Sequence, residues 1–467
     1  MPSEPTRHVI IIGGGASGVI LACHLLRHPT SDLRVTVIEK RAEVGRGVAY
    51  CTANPGHLLN VRAANMSAFP DQPDHFWHWL QDRRLGEDAA AWPACDDPFC
   101  FVPRQIYGDY IADLIAPFLA GDEQSPRLHI IQGECTSIAE SQSAVTVELS
   151  DGARCIADFA VLATGHEVRP APTGCYADPW GIPSGLDGRA TVLILGSGLT
   201  MIDYVLSLLL AGHTGPIVAI SRRGLLPRAH RRVEPRPIDA AEVPFGATLA
   251  TLFGWFRTLV KQQVADGGDW RGALDGVRPF TQQIWQRLPL ASKHRFLEHA
   301  RAWWDVHRHR MAPEVETRIA AAVSNGKLQV IAGKICEIEP NDSGALVHYR
   351  KRGEKRIEHL QVAKIVECTG IVKDPRRTTN CALRSLFDQG LARVDALNIG
   401  IDVTPECAVI DERGTPSHRL YAVGPLTRAA FWEIIAVPDI RNQCAELAAR
   451  LVQMKACTAL PPSVATS

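Results

Sequence analysis

His8-Val9-Ile10-Ile11-Ile12-Gly13-Gly14-Gly15-Ala16-Ser17-Gly18 is the stretch on which the fold turns. Its first five residues are an apolar, largely β-branched run of strand length. The rest is a G-x-G-x-x-G that opens an apolar helical stretch, Val19 to Leu26. A second β-branched run, Arg34 to Ile38, ends in Glu39, 21 residues beyond Gly18. Each glycine has a physical job: Gly13 permits a tight turn, Gly15 lets a pyrophosphate approach the backbone, and Gly18 lets helix and strand pack closely. Ala16 and Ser17 complete the loop, where the helix N-terminus offers unpaired N–H groups and a positive dipole end to phosphate. Glu39 stands where a carboxylate accepts hydrogen bonds from an adenosine ribose. A lone G-x-G-x-x-G is weak evidence, but strand, glycines, helix, strand and terminal acid in order form a dinucleotide-binding βαβ unit.

Composition narrows the rest. At 467 residues the chain has room for two or three domains. Lys+Arg and Asp+Glu number 50 each, so no net field favours nucleic acid or an anionic membrane. No run approaches the ~18 apolar residues of a membrane span. The first apolar run leads straight into the glycine loop, not into a signal-peptide cleavage site. These features predict a cytoplasmic protein. The thirteen cysteines contain no C-x-x-C, which argues against a dithiol relay. Cys95 and Cys100 are the closest pair, and the thiols are expected to be reduced and buried. No His/Cys spacing points to a metal.

The strand–glycine–helix pattern recurs at Ala190-Thr191-Val192-Leu193-Ile194-Leu195-Gly196-Ser197-Gly198-Leu199-Thr200-Met201, with Met201 in the third glycine position. The strand that follows, Pro216 to Ile220, ends not in an acid but in Ser221-Arg222-Arg223. Arginine there suits a 2′-phosphate, so Arg222 and Arg223 favour NADPH. Two strand-ending T-G turns, Thr164-Gly165 and Thr369-Gly370, mark where the chain crosses between halves. Lys40 to Tyr50 reads as a loop covering a nucleotide, and Pro170 to Gly188 as a linker. The expected class is α/β: two Rossmann-like dinucleotide-binding domains, the second inserted in the first, with a helical insertion. The first, 1–186 with 371–467, is expected to hold FAD. The second, 187–370, is expected to hold NAD(P)H and to include the insertion at 240–322. Gly424 is expected to bring backbone to the flavin's phosphates and ribityl chain, with the helix after it aimed at the isoalloxazine.

The chain resembles the FAD/NAD(P)-binding, YdhS-like bacterial flavoproteins. The resemblance rests on Gly13 to Gly18, His57-Leu58-Leu59-Asn60-Val61, Met66 to Pro70, Pro103-Arg104, Gly196 to Met201, Ser221 to Gly224 and Arg308-His309-Arg310-Met311-Ala312-Pro313. That family is similar in plan to two-dinucleotide flavin monooxygenases, including the nitrosuccinate-forming enzymes that oxidise aspartate. The resemblance implies that NADPH reduces FAD, and that a C4a-(hydro)peroxyflavin then gives one oxygen atom to an amine or amino acid. The protein must bind, orient and exclude water. The sequence lacks the F-x-G-x-x-x-H-x-x-x-W stretch of Baeyer–Villiger oxygenases, which leaves heteroatom oxygenation ahead.

Substrate contacts are sought in the insertion. Arg308 and Arg310 are candidates, because arginine forks bind carboxylates bidentately, although a charged surface helix would carry the same residues. His57 and Asn60 are the catalytic candidates, set against the alternative of a satisfied buried histidine. Arg104 is a candidate for flavin or substrate contact, with structural pairing as the alternative. The expected partners are a small amine or amino acid and dioxygen, with neither nucleic acid nor membrane. Two other functions fit the same residues: an NAD(P)H:acceptor oxidoreductase without oxygen insertion, and a flavin-binding regulatory protein with a vestigial second site.

Overall fold

A computed structural model describes residues 7–29, 32–84, 95–119, 127–167, 172–181, 185–369 and 374–454. Two compact units divide the chain: Met1–Cys51, Arg62–Glu167 and Val372–Ser467 form the first, Thr52–Val61 and Val168–Ile371 the second.

In the first unit β1 (Arg7–Ile12) runs parallel to β2 (Leu33–Glu39) on one side and β7 (Phe159–Leu162) on the other. Val9, Ile10 and Ile11 have no exposed surface. That is why the strand reads as continuously apolar: a central parallel strand is covered on both faces. β1 passes through the glycine turn into α1 (Ala16–Arg27). After β2 come the single turn α2 (Gly47–Tyr50), α3 (His75–Arg84) and α4 (Arg104–Leu119). The aromatic stretch 74–80 lies largely on α3, whose Phe76 and Leu80 are core residues. β3 (Leu128–Gln132) follows and pairs with β2. β4 (Cys135–Glu140), β5 (Val145–Leu149) and β6 (Arg154–Ala157) form an antiparallel meander that leads into β7.

The second unit opens with β8 (Tyr176–Ala177), a short strand inside the stretch that its Pro and Gly content marks as linker. It pairs with a later strand, so that stretch is partly built into the sheet. β9 (Val192–Leu195), α5 (Leu199–Leu210) and β10 (Ile217–Ser221) form the second βαβ core. Next come α6 (Leu249–Ala265), α7 (Trp270–Val277), α8 (Thr281–Arg287), α9 (Leu290–Arg295), α10 (Arg301–Arg308) and α11 (Pro313–Ser324). The loss of strand periodicity over 240–322 is therefore a helical segment, as read. Helix α11 packs on α5 and returns the chain to the sheet through β11 (Leu328–Asn341). β11 continues into an antiparallel meander with β12 (Gly344–Lys351) and β13 (Ile357–Val362). β14 (Lys364–Glu367) then inserts beside β9 and pairs with β8, giving the order β13-β12-β11-β10-β9-β14-β8.

The chain returns to the first unit with α12 (Cys381–Asp388), β15 (Ala408–Ile410), β16 (Pro416–Ala422) and α13 (Val437–Gln453). β16 joins the sheet next to β7, giving the order β15-β16-β7-β1-β2-β3. Helix α1 is buried on nearly every side because α4 and α13 both pack against it. Cys95 and Cys100 form a disulfide with Cα atoms 5.6 Å apart, which corrects the expectation of reduced thiols for that pair. The other described cysteines are free, and Cys51 and Cys336 are exposed, not buried.

Candidate dinucleotide sites

In the first sheet, β2 and β3 lie on one side of β1, and β7 and β16 on the other. The chain therefore changes direction between β1 and β7, and α/β sheets bind ligands at the carboxyl ends of strands at such a switch point. Three loops meet those ends: Gly13–Gly18 after β1, Thr164-Gly165 after β7 and Gly424 after β16. Gly13 has φ +110°, and a Cβ on it would stand 2.5 Å from the Ala163 carbonyl oxygen. A Cβ on Gly18 would overlap the Gly13 carbonyl. A Cβ on Gly15 would meet only Gly47 Cα, at 3.5 Å. Gly13 and Gly18 are thus required by the protein's own packing. Gly15 leaves backbone room beside the start of α1, whose N-cap has no side-chain hydrogen bond. Open backbone next to uncapped N–H groups fits a dinucleotide pyrophosphate. Ala16 and Ser17 form the first turn there.

Glu39 ends β2 as read. Its carboxylate accepts from the Gly14 N–H at 2.7 Å and from the Arg41 N–H at 3.0 Å, which orients it beside the glycine loop. Lys40 is exposed and lies 3.6 Å from Glu134. The following loop is fixed by Arg46, which bridges Glu43 at 2.9 Å and Asp109 on α4 at 2.6 Å. Arg104 opens α4. Burial pushes the nearby Tyr50 phenol up to about 12, against the pull of the Arg104 charge. Gly165 has φ +66° with open space around it, and the next residue, His166, is lowered to about 4 by burial and then by the Arg428 charge.

Gly424 has φ +73°, and a Cβ there would crowd Ser17 Oγ at 2.7 Å. Its N–H donates to Gln443 Oε1 at 2.7 Å, its carbonyl accepts from Thr427 Oγ1 at 2.9 Å, and Gln443 Nε2 donates to Thr427 Oγ1 at 3.0 Å. Gln443 and Thr427 hold this close approach, and sequence reading did not find them. A buried glutamine within the C-terminal helix was the signal that could have found them. A short 3-10 turn, Gly424–Thr427, follows the glycine, and the long helix after it, α13, begins at Val437.

The second unit repeats the geometry. β10 and β11 lie on one side of β9 and β14 on the other, so the switch point falls between β9 and β14. Gly196 has φ +114°, and a Cβ would overlap the Cys368 carbonyl. Thr369 is the next residue after Cys368 and donates to Glu367 at 3.0 Å; Gly370 lies outside the described residues. Gly198 caps α5, and a Cβ on it would have nothing within 4 Å, so Leu199 and Thr200 begin a helix with an open N-terminus. Met201, in the third glycine position, is fully buried. Ser221 Oγ accepts from the Gly224 N–H at 2.9 Å and donates to Ser197 Oγ at 2.8 Å, which itself donates to the Leu225 carbonyl at 2.7 Å. This chain fixes the loop carrying both arginines. Arg223 donates to the His299 carbonyl at 2.8 Å, whereas Arg222 is exposed.

The catalytic and substrate candidates are placed as follows. His57 is buried: Nδ1 lies 2.8 Å from Thr52 Oγ1, and Nε2 lies 2.8 Å from Ser207 Oγ and 3.0 Å from the Asp203 carbonyl. With both ring nitrogens engaged inside the second unit, it anchors segment 52–61 and has no lone pair free for a reacting atom. Asn60 lies in the same segment, where its carbonyl meets His230 Nε2 at 3.0 Å. Arg310 is 2% exposed and forks onto Asp275 at 2.8 and 3.0 Å, with Nε donating to the His307 carbonyl. Three of its five N–H donors are spent on structure. Arg308 ends α10 and also has a partner.

Comparison with known proteins agrees with this geometry. Residues 10–167 match the model of a family described as FAD-NAD(P)-binding. No curated protein sequence matches the chain. Among solved structures, the chain is similar to the ornithine N-hydroxylase of Kutzneria sp. 744, with 16% identity, TM-score 0.64, and 96% of this chain and 99% of that one covered. It is similar to the L-lysine 6-monooxygenase of Pseudomonas syringae, with 15% identity, TM-score 0.63 and coverage of 95% and 98%. It is also similar to the ornithine hydroxylase of Pseudomonas aeruginosa, with 14% identity, TM-score 0.62 and coverage of 96% and 99%. Among the described residues no helix is long and apolar enough to cross a membrane. Residues 10–167 therefore match an FAD-NAD(P)-binding family model, within a chain that shares its fold with these solved structures.

Proposed function

We propose that the protein is an FAD-dependent, NADPH-using monooxygenase that N-oxygenates a small amine or amino acid. The observation that carries the reading is the duplicated switch-point geometry: each unit sets an open glycine turn and an uncapped helix N-terminus at the carboxyl ends of its central strands. Two dinucleotide sites on one chain suit electron transfer from one dinucleotide to the other. The likeness over nearly the whole chain to enzymes named as ornithine and lysine N-oxygenases supports an amine as the acceptor. When bound, FAD takes a hydride from NADPH and activates dioxygen; the protein's part is to bind, orient and keep water out. Gly15, Ala16 and Ser17 cradle the flavin pyrophosphate, Glu39 takes the ribose, and Gly424 admits the chain close to the ribityl end. Thr164 and Gly165 line the same crevice. In the second unit Gly196, Gly198, Leu199 and Thr200 cradle the NADPH pyrophosphate, Thr369 borders it, and Arg222 takes the 2′-phosphate.

The test is anaerobic reduction of the flavin-loaded protein by NADPH in a stopped-flow instrument, followed by oxygen with and without candidate amines. Flavin bleaching by NADPH, then oxygen uptake matched to hydroxylated amine, is the expected result. Rapid reoxidation releasing only hydrogen peroxide with every amine would move the assignment to an acceptor reductase. Flavin that stays oxidised under excess NADPH would remove the enzyme reading altogether.

A further inference from the structure

We propose that the outward face of the β11–β13 meander holds a divalent late-transition-metal ion of the copper or nickel type, with His348 and His359 as ligands. The inference is independent of the flavin chemistry. On β12 the buried side chains are Ala345, Val347 and Tyr349, so His348 stands on the opposite face. The register sets His348 directly across from His359 on β13 and across from Glu337 on β11. Directly opposed residues of an antiparallel pair have Cβ atoms ~4.5–5.5 Å apart, close enough for two imidazoles to meet.

They do meet. The two Nδ1 atoms are 2.8 Å apart, and the rings lie at 89° with centroids 4.6 Å apart. One Nδ1 carries a proton that the other accepts. On the far side of the ring, His348 Nε2 lies 3.2 Å from Glu339 Oε1. A metal-bound histidine typically presents its other N–H to a carboxylate, which fixes the tautomer and raises ligand basicity. The Glu339 carboxylate is near enough to take that role, although Nε2 makes no aligned hydrogen bond to it. On this face β11 brings the carboxylates Glu337 and Glu339 together with Lys334, which lies across from Arg350 of β12, and β13 presents no charged side chain beside His359. The two carboxylates lie on the His348 side, Glu337 directly across from it.

The spacing is compatible with two nitrogens on one ion. Bonds of about 2.0–2.1 Å meeting at a right angle require nitrogens about 2.9 Å apart, and tetrahedral bonds require about 3.3 Å. The hydrogen-bonded pair thus needs only a small adjustment to bind one ion, and imidazole nitrogens suit late transition metals, with Cu(II) at the top of the divalent affinity order and Ni(II) just before it. Among the described residues no cluster of three or more metal-binding side chains is present, so water completes the coordination. Binding replaces the shared proton: in the neutral pair the Nδ1 proton moves to Nε2 of the same ring, both Nδ1 lone pairs turn to the metal, and no net proton is released.

The experiment uses the full-length flavin-loaded protein, freed of metal by a chelator and titrated with Cu(II) under electron paramagnetic resonance. The first equivalent is expected to bind with a tetragonal spectrum split by two nitrogens. His348→Asn and His359→Asn should each leave at most one nitrogen and weaken binding at least tenfold. Glu339→Gln should keep both nitrogens and weaken binding about tenfold. Both histidines are on an outward face, so the metal-free variants should melt at the wild-type temperature while losing the Cu(II)-induced rise in Tm. With 17 histidines in the chain, copper could bind elsewhere. Equal affinity and an unchanged nitrogen count in His359→Asn would overturn the site, as would no stoichiometric binding at micromolar copper.

Discussion

Gly15 and Gly18 belong to one motif but fail differently when a side chain is added. Gly18→Ala forces its methyl into the Gly13 carbonyl, an overlap of backbone with backbone that the loop can relieve only by separating α1 from β1. Gly15→Ala meets only an ordinary contact with Gly47 Cα at 3.5 Å, so it should fold and instead crowd the pyrophosphate. The expected pattern is Gly18→Ala protein that is insoluble or melts well below wild type, and Gly15→Ala or Gly15→Val protein with a near-native melt but little bound flavin. Absorbance at 450 nm against 280 nm, with thermal unfolding, checks both. Full flavin occupancy in Gly15→Val would remove the pyrophosphate assignment. The two arginines after β10 part company in the same way. Arg223 already donates to a carbonyl, whereas Arg222 is exposed. Arg222→Ala should cost the NADPH complex about 1.5–3 kcal/mol, a rise of ~10- to 150-fold in KM, with little change for NADH. Arg223→Ala should do less. Equal losses with both cofactors would show that Arg222 does not read the 2′-phosphate. The sequence shows that arginine stands where an acid would otherwise stand, but cannot show which arginine the His299 carbonyl has already claimed.

At the scale of the element, the helical segment between β10 and β11 was legible as helix and misleading as a site. Trp270, at the start of α7, has the Arg271 guanidinium 4.4 Å from its ring centroid, that of Arg310 at 5.4 Å, and the His307 ring edge-on at 5.0 Å. Each arginine is neutralised by a nearby carboxylate, Asp269 for Arg271 and Asp275 for Arg310. A run of Trp, His and Arg reads identically whether it binds a ligand or knits helices together, because the acid that pairs with Arg310 lies 35 residues away in sequence. Arg310→Ala should leave Asp275 unpaired and expose a void beside Trp270, destabilising the protein by about 2–4 kcal/mol. Arg310→Lys should recover little, since an ammonium cannot reproduce the fork or the stack. Urea unfolding at pH 7 checks this. A fall in turnover at unchanged stability would restore the substrate role that its burial argues against.

At the scale of the whole molecule, both switch points were legible because each rests on local signals: β-branched strands, a glycine turn, an apolar helix and a T-G turn on the neighbouring strand. What escaped depends on distant partners. His57 is bound to α5 across 150 residues of sequence, and Gln443 reaches the backbone of Gly424 only because β16 and α13 return to the first sheet. Burial of this kind has a further consequence in the first unit. His24 on α1 sits edge-on to Phe69 at 5.5 Å, and its Nε2–H donates to the Ala68 carbonyl at 3.2 Å. Burial lowers it from 6.5 to about 4, the carbonyl bond opposing only in part; His166 is likewise lowered to about 4. Between those values the unfolded chain binds protons that the native protein refuses, so stability must rise with pH across the window from about 4 to 6.5 and be flat, for these groups, above it. Each such histidine should cost about 2 kcal/mol on going from pH 7 to pH 5. Urea unfolding at the two pH values should therefore show wild-type protein markedly weaker at pH 5. His24→Gln, which keeps a donor for the Ala68 carbonyl but cannot take up a proton, should lose about 2 kcal/mol of that difference. An unchanged pH slope in this variant would mean that His24 charges freely in the native state and that α1 opens at its carboxyl end more readily than its packing implies.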